Sequence, residues 1–324
     1  MEISLQHLTY RYPGREQTSL GPIDLRFAPG TVTVLTGATG SGKSTLLKTL
    51  NGLIPRSAAG ELNGDVRLDG TAIASLSHAE VCRRVGLVLQ SADDQLVSTL
   101  VGDEARFGLE NLGLDRESVE AMSCAALERV GLAEQRDAAI ATLSGGQRQR
   151  LAIASILAMR PAVVAVDEPL SQLDPDGVVD ALALLDELAH HQGLTVVLAE
   201  HRLEEALRIA DRLLVLAHGR VVADGPPSAI LADSSALRAS GIEVPPLCQL
   251  AELHGLSARP LIDADALAAL ATVTSAPRPQ AAAPTRAACA PALVVRDLAF
   301  QHAPGTRSPS TCARSSSSAA RPWR

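Results

Sequence analysis

The feature that most constrains this chain is a glycine-rich loop between an apolar run and a helical pattern. Residues 31–35 are β-branched or apolar, which predicts a buried strand, and the next residues fit G-x-x-x-x-G-K-[ST]. Glycines let the backbone wrap closely around phosphates, so that successive N–H groups point at negative charge. The pattern predicts a nucleoside triphosphate site made by Gly37, Ala38, Thr39, Gly40, Ser41, Gly42, Lys43, Ser44 and Thr45.

Two residues of this loop have specific expected contacts. Lys43 should reach the β- and γ-phosphates, and the Ser44 hydroxyl should ligate Mg²⁺. A glycine-rich turn could match so short a pattern by accident. Further motifs are therefore needed to decide whether this loop binds a nucleotide.

The second motif begins at a serine in the middle of the chain. An apolar run follows it, which predicts a helix with a glycine-opened N-terminus that can bind an anion. Taken alone, the same residues could form a loop. The motif consists of Ser144, Gly145, Gly146 and Gln147.

Polar residues also follow two apolar runs that predict buried strands. Asp167 and Glu168 follow residues 162–166, and Glu200 and His201 follow residues 195–199. Doubly wound sheets bind ligands outside the carboxyl ends of their strands. Asp167 and Glu168 are therefore candidates for the ligand site, and His201 follows a second strand of the same kind.

The order of phosphate loop, LSGGQ, acidic strand end and histidine strand end resembles the ATPase domain of ATP-binding cassette (ABC) proteins. The resemblance covers about residues 1–235. It implies an α/β fold: a P-loop NTPase core of mainly parallel sheet with flanking helices and an N-terminal antiparallel β subdomain. A helical signature subdomain is implied at about residues 91–145. The implied activity is ATP hydrolysis coupled to transmembrane transport, with ATP and Mg²⁺ bound.

The resemblance implies a role for each matching side chain. Metal contacts are implied for Asp167, through water, and for Ser44 and Gln90. The residues implied to act in hydrolysis are Glu168 as general base, His201 at the γ-phosphate, Gln90 at the attacking water, and Lys43.

Two further segments are implied to contact nucleotide. The residues 144–147 would contact the γ-phosphate of ATP held by an opposite ATPase domain, and Asp174 matches the family's D-loop. Adenine would stack on an aromatic side chain ahead of the phosphate loop. The chain has only two tyrosines, Tyr10 and Tyr12, and Tyr12 is the predicted platform. A tyrosine packed at a strand end for its area alone is the alternative.

Short sequence segments next to these motifs resemble one branch of the family. Residues 90–96 (QSADDQL), 104–113 (EARFGLENLG) and 200–205 (EHRLEE) resemble energy-coupling-factor ATPases, which drive uptake of vitamins or of cobalt and nickel ions. The implied partners are a transmembrane coupling subunit with its substrate-binding membrane component, and a second ATPase domain, either a copy or a separate subunit. The expected location is the cytoplasmic face of the cell membrane.

Two other readings stay open at this point. The chain could be a soluble ABC ATPase acting on ribosomes or DNA, or a truncated half-transporter that is inactive alone. A net charge of −7 disfavours nucleic acid as a partner, since nucleic-acid readers usually carry a basic face. The transported solute cannot be read from these residues, because it would bind a separate membrane protein.

The remaining residues have a different composition. The Pro- and Ala-rich residues 236–291 predict a C-terminal extension and linker. Residues 293–300 align with residues 3–10, so 292–305 is interpreted as the start of a truncated second ABC domain in a broken double ATPase. A coincidental strand is the alternative. Residues 306–324, rich in serine and lacking periodicity, are predicted to be a disordered tail.

Overall fold

The computed structural model describes residues 1–57 and 59–253. Its strands are β1 (Ile3–Arg11), β2 (Leu20–Phe27), β3 (Val32–Thr36), β4 (Glu61–Leu68), β5 (Thr71–Ala72), β6 (Val85–Val88), β7 (Val163–Asp167), β8 (Thr195–Ala199), β9 (Arg212–Ala217) and β10 (Arg220–Gly225). Its helices are α1 (Lys43–Leu50), α2 (Leu53–Arg56), α3 (His78–Arg84), α4 (Val101–Asn111), α5 (Arg116–Arg129), α6 (Gly145–Ala158), α7 (Pro175–His190), α8 (Leu203–Ala206), α9 (Pro227–Ala232), α10 (Ser235–Ala239) and α11 (Pro246–Leu253).

The larger sheet has the strand order β10-β9-β3-β8-β7-β6. Its strands run parallel except β10, which forms an antiparallel hairpin with β9 at one edge. Every residue of β3, β7 and β8 is buried, as expected for central strands covered on both faces. In this register Asp167, the last residue of β7, lies opposite Ala199, the last residue of β8. The two polar strand ends therefore meet at one edge of the sheet.

The smaller sheet is antiparallel, with the order β2-β1-β4-β5. It packs its apolar face against the larger sheet's α1 side, in one cluster that includes Tyr10, Phe27 and Leu46. The opposite face of the larger sheet packs on α6 and α7. Successive side chains of β7 point to opposite faces of the larger sheet. Val163 packs in the cluster on the α1 side, and Val164 packs in the cluster on the side of α6 and α7.

A third apolar cluster joins α4, α5 and α6. Helix α6 belongs to two clusters: Leu151 and Ala154 pack against α4 and α5, whereas Ile153 packs against the larger sheet. One helix therefore connects the helical part of the chain to the core.

The predicted α/β class, with a mainly parallel core and an N-terminal antiparallel sheet, is confirmed. The proposed domain boundaries remain predictions. Those at 292–305 and 306–324, and most of 236–291, lie outside the described residues. In the part of the chain that the structure describes, no helix combines the length and apolar character needed to cross a bilayer.

Candidate functional site

The phosphate loop lies between the end of β3 and the start of α1. At Gly37 an added Cβ would lie 2.2 Å from the Leu216 carbonyl oxygen and 2.5 Å from Ser41 Oγ, so a side chain has no room. Gly42 has φ 109° and provides the N-cap of α1. That conformation strongly favours glycine. The loop's glycines are thus required both by close backbone approach and by turn geometry.

Lys43 is folded back over the loop that precedes it. Its Nζ donates to the Gly37 carbonyl oxygen at 2.7 Å and to that of Ala38 at 3.4 Å. The side chain is only 5% exposed, and Nζ lies 3.9 Å from Glu168 Oε1. Burial lowers the pKa of Lys43, while the nearby acidic groups, Glu168 first, oppose that shift. The ammonium is thus positioned in the loop, beside the acidic strand end.

Glu168 is the point where the candidate catalytic side chains converge. Its Oε1 lies 2.6 Å from His201 Nε2, and its Oε2 accepts a hydrogen bond of 2.8 Å from Gln90 Nε2. With Lys43, the structure brings together side chains from three strand ends and the phosphate loop. The Glu168 side chain is 17% exposed, so it is shielded yet open to a small molecule.

The backbone at Glu168 is held in an unusual conformation. Its φ is 47°, in the left-handed region that non-glycine residues seldom adopt. Its N–H donates to the Ala199 carbonyl oxygen at 2.9 Å, which links the chain after β7 to the end of β8. Strained backbone of this kind concentrates at functional sites.

Asp167 has the properties of a second-sphere metal ligand. Its side chain is buried, and Oδ1 has no hydrogen-bond partner among the described residues. Burial raises the pKa of Asp167, and a hydrogen bond from Ser44 is the largest opposing influence. A buried carboxylate oxygen without a partner is costly unless something binds it. Asp167 and Ser44 therefore fit a hard divalent cation such as Mg²⁺, with Gln90 nearby.

The two tyrosines have different environments. Tyr10 is fully buried, and its hydroxyl donates to the Ala59 carbonyl oxygen at 3.0 Å. Tyr12 is partly exposed, contacts Thr45 Oγ1 through its hydroxyl at 3.1 Å, and packs edge-on against Tyr10 with ring centroids 4.8 Å apart. Of these two rings, that of Tyr12 is the one that can offer a face to a base.

A cavity of about 780 Å³ joins the phosphate loop to Tyr12. The turn between β9 and β10 closes one side, and it is tied to the loop by a 2.8 Å hydrogen bond from Gly219 N to the Ser41 carbonyl oxygen. Sequence reasoning missed this wall, since a hairpin turn carries no nucleotide motif. The lining side chains beyond the predicted ones are Arg15, Glu16, Gln17, Thr18, Ser19 and His218.

The signature residues are not part of this cavity. Ser144 caps α6: its hydroxyl accepts from Gln147 N at 3.2 Å, and Gln147 Oε1 accepts from Ser144 N at 2.8 Å. Asp174 caps α7 by accepting from Gly177 N at 2.9 Å. Neither Ser144 nor Asp174 lines the cavity, so the structure separates these two predicted nucleotide contacts from the phosphate loop of their own chain.

One buried residue of the site received no role from the sequence. Glu200 follows β8 and is 2% exposed. Its carboxylate accepts backbone hydrogen bonds from His201 and Arg202, at 2.7 and 3.1 Å. Burial raises the pKa of Glu200, and these backbone hydrogen bonds oppose the shift. Its position next to His201 in the sequence was the feature that could have indicated a role in the site.

Comparisons with known proteins point to one family. Residues 20–171 match the model for the ABC transporter family. An ABC transporter ATP-binding protein of Methanosarcina acetivorans is 43% identical over 83% of this chain and 42% of its own length. The chain thus spans less than half the length of that relative.

Two further matches extend over nearly whole proteins. The energy-coupling factor transporter ATP-binding protein EcfA1 of Symbiobacterium thermophilum is 39% identical over 77% of this chain and 88% of its own length. The solved structure of cbiO1 from Clostridium perfringens, part of the ABC transporter complex cbiONQ, matches with a TM-score of 0.65 and 30% identity. That match covers 77% of this chain and 98% of the cbiO1 chain.

Proposed function

Because this chain belongs to the family of ABC transporter ATP-binding proteins, whose members are ATPases, we propose that it powers a membrane importer of the energy-coupling-factor type. The cargo would be a vitamin or a cobalt or nickel ion. The observation that carries the hydrolytic part is the convergence of Lys43, Gln90 and His201 on Glu168, beside the phosphate loop.

The proposed chemistry follows from this geometry. The loop N–H groups and Lys43 bind the phosphates of ATP, with adenine stacked on Tyr12. Glu168 Oε1 accepts a proton from the attacking water, and Gln90 and His201 hold the carboxylate and the water in place. Charge on the γ-phosphoryl group is neutralised by fixed donors, so positioning and electrostatics supply most of the rate.

Ser44, Asp167 and Gln90 are the residues that would hold Mg²⁺. Bound there, the ion would neutralise charge on the phosphates during transfer. The unpartnered Oδ1 of Asp167, within the described part of the chain, supports this assignment.

A second ATPase domain would complete the site. Residues 144–147 lie outside the cavity that holds their own phosphate loop, so we propose that they contact ATP bound to another domain. That domain is a second copy of this chain or a separate ATPase subunit. Closing the pair around ATP would then pull on the membrane partner.

An exposed apolar surface on the helical part is the candidate docking site for the transmembrane coupling subunit. Three large apolar side chains there face solvent: Val97 at 62%, Phe107 at 47% and Leu100 at 38% exposure. We define these three residues as the docking patch. All three lie within eleven consecutive residues at the start of the helical part. Contiguous exposed apolar surface marks interaction sites more often than scattered apolar residues do. Its partner would hold the chain at the cytoplasmic face of the membrane.

The experiment is purification of tagged chain from detergent-solubilised membranes of cells that make it. We expect a multi-span membrane protein to co-purify in fixed ratio, with ATP hydrolysis by the complex. Phe107→Ser should lose the membrane protein, whereas Val222→Ser, an equally exposed change on the edge strand β10, should keep it. A chain that hydrolyses ATP in the soluble fraction without any membrane partner would contradict the importer assignment.

A further inference from the structure

Glu200 makes contacts that the proposed mechanism does not use. Its backbone N–H donates to the Leu35 carbonyl oxygen at 3.0 Å. Its side-chain Oε1 accepts from the backbone N–H groups of His201 and Arg202, and Oε2 accepts from that of Leu170 at 3.4 Å. Glu200 is 2% exposed, so its carboxylate is shielded from water.

Each contact reaches a different segment of the nucleotide site. Leu35 belongs to β3, which leads into the phosphate loop, and Leu170 follows Glu168 by two residues. The turn that starts at His201 carries the histidine that contacts Glu168 at 2.6 Å. One residue therefore links the segments that present Lys43, Glu168 and His201.

The cost of burying this carboxylate argues against a passive role. A buried charge is strongly unfavourable unless its oxygens are hydrogen-bonded, and an apolar side chain would fill the same space without that cost. The backbone N–H groups of Leu170, His201 and Arg202 lie outside regular strands, and Glu200 is the side chain that accepts from them. Without it, the buried N–H of Leu170 and the partly buried N–H groups of His201 and Arg202 would lose their partner.

We propose that Glu200 is a positioning residue that holds the His201 turn and the segment after Glu168 in register, so that the contact between His201 and Glu168 is preformed. The proposal rests on the proposed function for its effect on hydrolysis. The link between segments can be measured without hydrolysis.

The first measurement is amide hydrogen exchange by mass spectrometry on the nucleotide-free full chain. Glu200→Leu removes every acceptor, so peptides covering 168–174 and 200–206 should both exchange faster. Glu200→Gln keeps one carbonyl oxygen for His201 and Arg202, so only the peptide with Leu170 should change. Glu205→Gln is the control, since Glu205 pairs only with the side chain of Arg202 among the described residues and should leave the 168–174 peptide unchanged.

The second measurement is ATP hydrolysis and ATP affinity in the assembled complex. Misplacing reacting groups by about 1 Å can cost on the order of 10²-fold in rate, so Glu200→Leu should lower kcat by up to that factor with ATP affinity retained. In a His201→Ala background the same change should have a much smaller effect, because its route of action is already lost. A merely structural role would give additive losses.

Unchanged exchange in both peptides of Glu200→Leu would overturn the proposal, as would additive losses of kcat with His201→Ala. If the wild-type complex shows no ATP hydrolysis at all, the proposed function fails, while the exchange data still decide whether Glu200 links the two segments. If Glu200→Leu does not fold, the exchange measurement is made on Glu200→Gln instead. Unchanged exchange of its Leu170 peptide would then contradict the proposal.

Discussion

The strand ends around Glu168 and the N-terminus of α6 are proposed to contribute complementary parts of an ATP site, yet they are built differently. At the strand ends, side chains from distant segments meet within hydrogen-bonding distance. At α6, Ser144 and Gln147 satisfy each other's backbone groups and stay outside the cavity. The first region is assembled by this chain alone. The second is a complete helix cap, and we propose that its ligand is ATP bound to another domain.

This difference separates what each region needs for function. Changes at the strand ends should alter chemistry in the domain that carries them. Changes at Ser144 should alter only an assembly in which two ATPase domains face each other. Substitutions in each region test that division.

Glu168→Gln should keep ATP binding and lower hydrolysis by about 10²–10⁴-fold, the usual contribution of general acid–base catalysis. The amide keeps the shape of the side chain but cannot accept the proton. Turnover by the purified complex and nucleotide titration of the isolated chain measure the two effects. Lys43→Ala is the matched comparison and should lose nucleotide binding itself. Near-normal turnover in Glu168→Gln would break the assignment of the strand ends.

Ser144→Ala should lower hydrolysis by the complex about tenfold to a hundredfold, because hydrogen bonds to charged groups contribute about 1.5–3 kcal/mol. Nucleotide binding by the isolated chain should not change, since Ser144 lies outside its own cavity. The readouts are complex turnover and single-chain affinity.

The control for Ser144 is Ser77→Ala. Ser77 forms the same kind of capping box with Glu80 at α3, so both variants should lose similar helix stability, about 0.5–2 kcal/mol. Only the Ser144 variant should lose turnover. Equal losses of turnover in the two variants would show that the Ser144 cap acts through helix stability. Weaker ATP binding by the isolated Ser144→Ala chain would contradict the proposed difference between the two regions.

Tyr12→Ala should weaken ATP binding by roughly 1–3 kcal/mol, about tenfold to a hundredfold, since base stacking on an aromatic ring contributes this much. Tyr12→Phe keeps the ring and loses only the hydroxyl contact with Thr45, so its affinity should stay close to that of the parent chain. Fluorescent-nucleotide titration of the isolated chain measures both. Unchanged affinity in Tyr12→Ala would exclude this ring as the platform.

His190→Gln should have the smallest effect, confined to stability. His190 bridges Asp211 and Asp186 at 3.0 and 2.9 Å, at the end of β3 opposite the phosphate loop. The Asp211 hydrogen bond raises the pKa of His190, so the stabilisation is complete below its ordinary value and is lost as pH rises through the higher folded value. The variant should melt about 2–4 °C lower at most near pH 6, and the difference should shrink near pH 9.

Melting curves at both pH values check this, with the exposed neighbour His191→Gln as control. A constant difference across pH would show that His190 stabilises by packing rather than by charge. Altered ATP affinity in His190→Gln would show that the geometry of the site depends on the far end of the sheet, which would contradict the independence of the two regions.

Local patterns were sufficient to predict much of this molecule. The apolar runs 162–166 and 195–199 predicted buried strands, and the structure has them at Val163–Asp167 and Thr195–Ala199. The phosphate loop is predictable for the same reason. Its glycines are required by turn geometry and by close backbone contacts around one strand–loop–helix unit. The α/β class and the family follow from such units in order.

Other features depend on residues far apart in the sequence. Gln90 and His201 reach one carboxylate, a hairpin turn at Gly219 closes the cavity beside the phosphate loop, and Glu200 accepts from Leu170. All three contacts required the strand order and register of the larger sheet. The same holds for Asp174, whose side chain caps a helix outside the cavity.

The sequence by itself determined which elements form and which side chains stand at their ends, because helix, strand and turn preferences act over a few neighbouring residues. Only the tertiary structure decided which ends meet. Contacts such as Gln90 with Glu168 join segments separated by long loops, and their geometry follows from sheet register and core packing, to which many distant residues contribute together.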